Sequence, residues 1–384
     1  MAQTIFCGKL IDGEHDEPFT GKWLTIEDGK IKSISDSQPS NGGEFLDLGK
    51  YTILPGFIDC HDHICLEPGN EVTQSKEPVA WLAIRGAARA RLVIESGVTT
   101  VRNAGEHERM DVSLKRAINE GMVPGPRLIT AGLWITRTGG HGWYDEIEAD
   151  GPWAIRKAIR EEVKLGADWI KIMATGDFTT LNSDPLMSEY TKEEMFTAVE
   201  EAHRLGKKIV AHAHGGAGVD YLIEAGVDSI EHGFYLTEAQ MRAMAKKGIY
   251  LTSTYGIVDA ILKEPDSPDY YIDGCDKYTQ VIDTMLTKAI RENVPIVVGT
   301  DANHGKMAIE LDALIRGGYS HSQAIKALTS EAANLLGMKD QIGSIKEGLI
   351  ADLVAIDGDP LTDIYAIENV KLVFKDGKQI FSRI

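Results

Sequence analysis

The stretch Leu205-Gly-Lys-Lys-Ile-Val-Ala211 joins the end of an amphipathic helical pattern to a short apolar run through a single glycine. A glycine just past a helix end readily takes the left-handed backbone conformation, and a continuous apolar run is typical of a parallel strand buried on both faces. The same unit recurs at four other places: residues 95–101, 165–172, 224–230 and 247–252. The sequence therefore predicts a parallel sheet whose strands alternate with helices.

The number of predicted strands distinguishes between two folds of this class. Strand-like runs occupy eight segments: residues 53–63, 97–105, 127–132, 169–176, 208–215, 229–233, 250–256 and 296–302. Eight strands, mostly separated by helical patterns, favour a (β/α)₈ TIM barrel over a six-stranded doubly wound sheet. We therefore predict an α/β protein with a barrel domain over residues 53–345.

The two ends of the chain follow a different pattern. Short alternating runs flank Asp28-Gly29 near the start, and residues 370–374 precede Asp376-Gly377 near the end. Asp-Gly between alternating apolar runs is a strong signal for a β-hairpin. We expect residues 1–52 and 346–384 to form one small β-sandwich domain that flanks the barrel.

The composition is that of a globular protein and excludes several functions. Hydrophobic residues make up 43% of the 384 residues and charged residues 26%, which excludes a disordered chain. The formal net charge is -18. Binding to nucleic acid depends largely on Lys and Arg, so no nucleic-acid partner is expected.

The cysteines and the apolar runs indicate the compartment. Four cysteines in a chain of this length do not suggest a disulfide framework. The N-terminus has no signal-peptide pattern, and no apolar run approaches the ~20 residues of a membrane span. We expect a cytoplasmic homo-oligomer that has no membrane partner and acts on a small-molecule substrate.

The most informative local feature is Gly56-Phe-Ile-Asp-Cys-His-Asp-His63. Side chains alternate along a strand, so His61 and His63 are expected on the same side, where they could bind one metal ion. Cys60 would then point to the helical layer, which argues against a Cys/His zinc site. Taken alone, the His-x-His pattern also fits surface or core histidines.

Other polar side chains strengthen the metal interpretation because they lie near the ends of later predicted strands: Lys171, His212, His214, His232 and Asp301. The carboxyl ends of barrel strands are where this architecture builds active sites. Buried Lys and Asp are otherwise rare in such apolar surroundings. We therefore predict that these residues share one site.

Together these motifs resemble the amidohydrolase superfamily in its binuclear form. The resemblance runs from about residue 3 to the end of the chain. It rests on the His-x-His strand and on two tail motifs, Gly343-Ser-Ile-Lys-Glu-Gly-Leu-Ile-Ala-Asp-Leu-Val354 and Gly358-Asp-Pro-Leu361. It implies a hydrolase acting on C–N bonds through attack by a metal-bridging hydroxide.

The resemblance also implies a ligand set for two divalent metal ions, of which zinc is expected and manganese or cobalt would also fit. His61 and His63 would bind the inner ion, and His212 and His232 the outer one. Lys171 would bridge both as an N-carboxylated lysine. Asp301 would bind the inner ion and act as general base and acid.

Within the superfamily the chain is most similar to the branch of Xaa-Pro dipeptidases (prolidase-like enzymes), N-acyl amino acid metallocarboxypeptidases and ochratoxinase. The similarity rests on Thr138-Gly-Gly-His-Gly142, Met173-Ala-Thr-Gly176 and Ala211-His-Ala-His214. It implies that His141 and His214 contact a substrate carboxylate, and Tyr255 is a further candidate for substrate contact. The chain departs from its relatives at His214, where tyrosine is common, and in the loop 176–188.

The expected reaction is cleavage of an amide bond next to a carboxylate, in an Xaa-Pro dipeptide, an N-acyl amino acid or an ochratoxin-like compound. One alternative is hydrolysis of a cyclic amide, as in imidazolonepropionase, or of an aryl amide, urea or ester. A non-catalytic barrel that keeps the metal site is another. A sugar-phosphate barrel would need a glycine-rich phosphate loop near the last strands, where this chain has Asp301.

Overall fold

A computed structural model describes residues 2–39, 44–144 and 147–384. Residues 1 and 40–43 of the predicted β domain, and residues 145–146 of the predicted barrel, lie outside the described residues. The strands are β1 (Gln3–Leu10), β2 (Phe19–Glu27), β3 (Lys30–Ser35), β4 (Glu44–Pro55), β5 (Phe57–Asp62), β6 (Val98–Asn103), β7 (Arg127–Thr130), β8 (Ile135–Thr136), β9 (Ile147–Glu148), β10 (Trp169–Met173), β11 (Lys208–Ala213), β12 (Ser229–His232), β13 (Tyr250–Ser253), β14 (Ile296–Val298), β15 (Leu353–Ile356), β16 (Val370–Lys375) and β17 (Lys378–Ser382).

Helices surround the parallel strands and account for most of the remaining regular structure. They are α1 (Glu71–Gln74), α2 (Val79–Glu95), α3 (Met110–Asn119), α4 (Gly151–Leu165), α5 (Lys192–Arg204), α6 (Gly216–Ala225), α7 (Glu238–Lys247), α8 (Tyr255–Lys263), α9 (Asp269–Arg291), α10 (Met307–Gly317), α11 (His321–Leu328) and α12 (Ser330–Leu336). No helix among the described residues is long and apolar enough to cross a membrane.

The two ends of the chain meet in one sheet with the order β17-β16-β15-β4-β1-β2-β3. Both predicted Asp-Gly turns are present, and their residues have positive φ, as a two-residue hairpin turn requires. Edge strand β3 also hydrogen bonds to residues 348–351, the segment that leads into β15. The sheet therefore curls around its own apolar core, which includes side chains from both ends of the chain.

The eight predicted barrel strands correspond to β5, β6, β7, β10, β11, β12, β13 and β14, which pair in parallel within two sheets. Two backbone hydrogen bonds close the ring between these sheets: the Asp168 N–H donates to the Thr130 carbonyl, and the Asp301 N–H donates to the His61 carbonyl. The predicted first strand began too early, because residues 53–55 continue β4 and pair with β15. The short strands β8 and β9 extend the second sheet.

The glycines that the sequence places between helix and strand adopt the expected conformation. Each has a positive φ: Gly97, Gly166, Gly206, Gly226 and Gly248. At each of these glycines the chain turns from the helix into the next barrel strand. Side chains of these strands such as Ile170, Ile209 and Ile230 are fully buried. The fold therefore places the carboxyl ends of the eight strands around one opening, at which the candidate site lies.

Candidate metal centre and active-site cavity

The structure brings His61, His63 and Asp301 together at the mouth of the barrel. Asp301 Oδ1 lies 3.4 Å from His61 Nε2 and 3.6 Å from His63 Nε2. The other ring nitrogens are already engaged, since His61 Nδ1 lies 2.6 Å from a Glu231 carboxylate oxygen and His63 Nδ1 lies 2.8 Å from the Gly105 carbonyl oxygen. Both Nε2 atoms are therefore directed at the same point as the carboxylate.

The local backbone allows the adjacent residues Cys60 and His61 both to point into the barrel interior. The register between β5 and β6 shifts between Asp59 and Asp62. Cys60 consequently belongs to the same buried apolar cluster as Trp169 and Val210, so the prediction that it points to the helical layer was wrong. Burial raises the pKa of the Cys60 thiol well above its ordinary value, which is unfavourable for a metal-binding thiolate.

His232 and Asp301 occupy unusual backbone conformations. Their φ angles are +68° and +51°, in the left-handed region that residues other than glycine seldom adopt. Such conformations cost of order 1–3 kcal/mol and persist where the surrounding structure enforces them. At the end of β12 this turn lets Glu231 and His232 both contribute to the site, although they are adjacent in the sequence.

Beneath the histidines lies a buried ion pair that the sequence analysis did not identify. Glu231 accepts hydrogen bonds from Arg102 Nη2 at 2.6 Å, from Ser229 Oγ at 2.7 Å and from Thr252 Oγ1 at 3.0 Å. Arg102 also donates to the Cys60 carbonyl and stacks on the Trp169 ring at 4.9 Å. The network fixes the carboxylate that holds His61 Nδ1, and thereby the orientation of that imidazole.

A second group lies beside the first and consists of His141, Asp177 and His212. Their ligand atoms all lie within 4.8 Å of one another. Asp177 Oδ2 is 3.5 Å from His212 Nε2, and the rings of His141 and His212 are 4.3 Å apart. The predicted outer ligand His232 is adjacent to the group, with its ring 4.7 Å from that of His212.

The candidate histidines differ in their charge state. Burial lowers the pKa of His63 to about 4 and holds the pKa values of His212 and His232 well below their ordinary range. These three rings are therefore neutral, which is the metal-binding form of imidazole. Burial also acts to lower the pKa of His61, but Asp301 and Glu231 outweigh that effect and raise it.

Lys171 is 1% exposed and lines the same cavity as these histidines. Burial lowers the pKa of its ammonium group to about 8, although Glu231 and Asp301 act in the opposite direction. A substantial fraction of this amine is therefore neutral near physiological pH. A neutral amine is the form that can react with carbon dioxide.

Two of the three residues that were predicted to contact the substrate, His141 and His214, also line the cavity. His141 Nδ1 lies 3.0 Å from Thr180 Oγ1, and His214 Nε2 lies 2.7 Å from Asp177 Oδ2. The structure does not bring Tyr255 to the cavity. Its ring packs against the Arg316 guanidinium at 4.9 Å, because residue 255 begins α8 and does not continue the strand.

His304, which directly follows the Asp301 loop in sequence, has a different environment. Its Nδ1 lies 3.1 Å from Asp62 Oδ1, and its Nε2 lies 2.8 Å from the Leu66 carbonyl oxygen. Both ring nitrogens are therefore committed to the two loops that flank the site. His304 connects these loops and leaves the cavity to other side chains.

A cavity lies over both groups at the mouth of the barrel and opens to solvent. Its wall is largely apolar and is formed by Leu66, Trp134, Tyr144, Met173, Phe178, Phe234, Ile257, Val258 and Ile261. Glu71 and Asp177 add acidic groups. Lys171 is the one lysine, and no arginine occurs, among the described residues of the lining.

The donors at this site fit divalent metal ions. The Nε2 atom of His61 is buried and has no hydrogen-bond partner among the described residues, which would be costly unless another group completes it. Neutral imidazoles and carboxylates at these spacings are the ligands that zinc, manganese and cobalt accept. The first group, His61, His63 and Asp301, and the second, His141, Asp177 and His212, could each hold an ion.

Comparison with known proteins agrees with this geometry. The sequence matches the amidohydrolase family over residues 52–380, and the chain therefore belongs to that family. Ochratoxinase from Aspergillus niger is 30% identical over an alignment of 420 positions that covers 97% of this chain and 85% of the relative. The comparisons confirm that the chain belongs to the branch that contains ochratoxinase and the prolidases. They also confirm that it is a hydrolytic enzyme acting on C–N bonds.

Solved structures in the same branch share the whole fold. A Xaa-Pro dipeptidase with methionine bound in its active site is 31% identical, with a TM-score of 0.92 and 99% of both chains covered. A prolidase complexed with N-methylphosphonate-L-proline is 27% identical, with a TM-score of 0.93 over 100% of both chains. The predicted barrel with a flanking β domain is thereby confirmed.

Proposed function

We propose that this amidohydrolase uses two divalent metal ions to cleave an amide bond next to a carboxylate, in an Xaa-Pro dipeptide or an N-acyl amino acid. The observation that carries the proposal is the convergence of two sets of imidazole and carboxylate donors on one largely apolar cavity. The solved dipeptidase and prolidase hold an amino acid and a proline derivative in the same fold, which supports the substrate class.

The proposed ligands divide between two ions, most simply zinc. His61, His63 and Asp301 would hold the inner ion, and His212 and His232 the outer one, with Lys171 bridging them as a carbamate. When bound, the two ions would supply a nucleophile from water at neutral pH and polarise the carbonyl under attack. Lys171 fits its role because its lowered pKa leaves neutral amine available for carboxylation.

Asp301 is proposed to move the proton of the reaction. Burial acts to raise the pKa of its carboxyl, but the surrounding His61, His232 and His63 lower it far below the ordinary range. The group is therefore an anion that can accept a proton at Oδ1 or Oδ2. It is about one-fifth exposed and lines the cavity, so the same atoms can pass that proton to the leaving amine.

His141 and His214 are proposed to contact the substrate carboxylate, and the apolar wall to receive the side chain. Both imidazoles line the cavity, on the side that carries Asp177. Phe178 and Phe234 lie in the same wall, and with Ile257 they give a hydrophobic surface for the acyl part. Since burial of apolar surface contributes ~25 cal/mol per Å², bulky apolar residues are the expected preference.

A second candidate function is hydrolysis of a cyclic amide, or of an aryl amide, urea or ester. One observation favours it: no arginine occurs in the described lining of the cavity, and Glu71 and Asp177 are acidic. A free carboxylate would then depend on imidazoles alone, whereas a neutral substrate would need no cation. The two candidates therefore differ in whether a carboxylate is required.

The test is a matched substrate panel on the metal-loaded protein. N-acyl amino acids and Xaa-Pro dipeptides would be compared with their carboxamides, with cyclic amides and with aryl amides and ureas. A kcat/KM higher by at least tenfold for the free acids supports the proposal, and equal values for acid and carboxamide overturn the carboxylate requirement. Asp301→Asn should abolish turnover while close to two metal equivalents remain bound, whereas the surface variant Asp259→Asn should change neither.

A further inference from the structure

The loop that follows β10 carries a carboxylate into the metal region. Asp177 is 6% exposed, and its Oδ2 lies 3.5 Å from His212 Nε2. Two atoms bound to one tetrahedral zinc ion at ~2.0–2.1 Å are ~3.3 Å apart, so the observed separation is already close to that of two ligands of one ion. His141 completes a set of three donors whose atoms lie within 4.8 Å.

Hydrogen bonds to both of its oxygens hold this carboxylate in place. Oδ1 accepts the Thr179 N–H at 3.0 Å, and Oδ2 lies 2.7 Å from His214 Nε2, which can donate to it. The Asp177 N–H in turn donates to Ser183 Oγ at 3.1 Å. Carboxylates that bind metal ions are usually oriented by hydrogen bonds of this kind, which fix the lone pairs that remain.

His214 belongs to the same arrangement. It is 1% exposed, and its Nδ1 has no hydrogen-bond partner among the described residues. Its other nitrogen is directed at Asp177, so the ring supports the carboxylate from one side while Nδ1 remains available to a ligand in the cavity. This chain therefore places a histidine–carboxylate pair, His214 and Asp177, beside the outer donor His212.

We propose that Asp177 is an additional ligand of the outer metal ion, beside His212 and His232, and that His214 positions it. The inference rests on the proposed two-metal function and adds an anionic ligand to a site whose protein side chains would otherwise be two neutral histidines and the bridging Lys171. A further carboxylate shifts the preference of a site towards harder ions such as Mn²⁺. The outer site should therefore bind Mn²⁺ more tightly than the same site without Asp177.

The test measures metal binding directly. Chelator-treated protein would be titrated with Zn²⁺, Mn²⁺ and Co²⁺ for wild type, Asp177→Asn and the control Asp184→Asn, which changes an exposed aspartate in the same loop. We expect wild type and Asp184→Asn to bind two equivalents. Asp177→Asn should bind the first normally and the second at least tenfold more weakly, with a changed Co²⁺ absorption spectrum for that second ion.

Two equivalents bound by Asp177→Asn with unchanged affinity and spectrum would overturn the inference and leave the proposed function standing. Wild type that binds fewer than two equivalents would overturn both. A crystal structure of the Mn²⁺-loaded wild type, read from anomalous scattering, does not depend on the folding of any variant. An Asp177 oxygen within ~2.4 Å of the outer ion supports the proposal, and one beyond ~3 Å refutes it.

Discussion

Replacement of Glu231 by glutamine tests whether this buried carboxylate orients the imidazole of His61. The side chain is fully buried and meets His61, Arg102, Ser229 and Thr252. Glutamine has the same shape and can keep its oxygen towards His61 and Arg102. Its NH₂ can turn to the two hydroxyls, which accept as well as donate. The substitution therefore removes the charge with little change in packing.

The charge of Glu231 makes a large contribution to the stability of the fold. Arg102 lowers the pKa of Glu231 to about 2 against the desolvation caused by burial, from an ordinary value of 4.5. A difference of roughly 2.5 units corresponds to about 3 kcal/mol of folding free energy. Loss of one partner from a buried ion pair costs about 3–5 kcal/mol, so Glu231→Gln should lower the free energy of unfolding by about 3 kcal/mol.

The pH dependence has a definite sign. The folded pKa of Glu231 lies below the unfolded one, so its contribution is complete above about pH 4.5 and is lost as the pH falls towards 2. Urea unfolding of the metal-free proteins should show the difference between wild type and Glu231→Gln at pH 7. That difference should shrink steadily below pH 4.5, as far as the fold survives.

The same variant should weaken binding of the first metal equivalent by about 10–100-fold, because it removes the anion that orients His61. The matched control is Glu162→Gln, which disturbs the pair with Arg109 outside the site and should leave metal affinity unchanged. Metal affinity in Glu231→Gln within twofold of wild type would refute the positioning role. Unchanged unfolding free energy would refute the electrostatic argument.

Three further substitutions or conditions test other parts of the structure. A Cβ at Gly299 would lie 2.6 Å from the backbone nitrogen of His61, so Gly299→Ala should separate β5 from β14 and lower both thermal stability and metal content. Metal uptake by the chelator-treated protein should be faster with added bicarbonate and should rise with pH through about 8, where Lys171 becomes neutral, and Lys171→Ala should show neither effect. Burial raises the pKa of Glu310 to about 8, so wild type should lose stability relative to Glu310→Gln between pH 5 and 8, by up to ~1.4 kcal/mol per pH unit in urea unfolding.

Regular periodicity is what made the fold predictable from the sequence. Five of the eight barrel strands follow a helix and a glycine with positive φ, and that local rule depends on a few neighbouring residues, as at Gly166 and Gly206. The Asp-Gly hairpins are equally local. The predicted start of the first barrel strand at residue 53 was wrong. Residues 53–55 pair instead with β15, a strand 300 residues away, which local sequence does not reveal.

The site was predictable only as far as strands stay regular. Strict alternation placed His61 and His63 correctly but sent Cys60 outward, since it cannot foresee the register shift between Asp59 and Asp62. Tyr255 was expected at the cavity because the strand was extended to residue 256. The strand ends at Ser253, and the helix that follows turns the phenol towards Arg316.

The residues that the sequence did not reveal share a physical reason. Asp177 lies in a loop without periodicity, and Arg102 is recognisable only as a charged residue inside an apolar strand whose partner, Glu231, is 129 positions away. For His232 and Asp301, which the sequence did identify, the left-handed backbone that brings them to the site was not visible in the sequence pattern. Metal ligands must converge from several strands, and a regular strand presents only every second side chain to the interior. The chain therefore places its candidate ligands where β-structure ends or shifts, and there a periodic pattern identifies the residue types but not the partners that they meet in the folded structure.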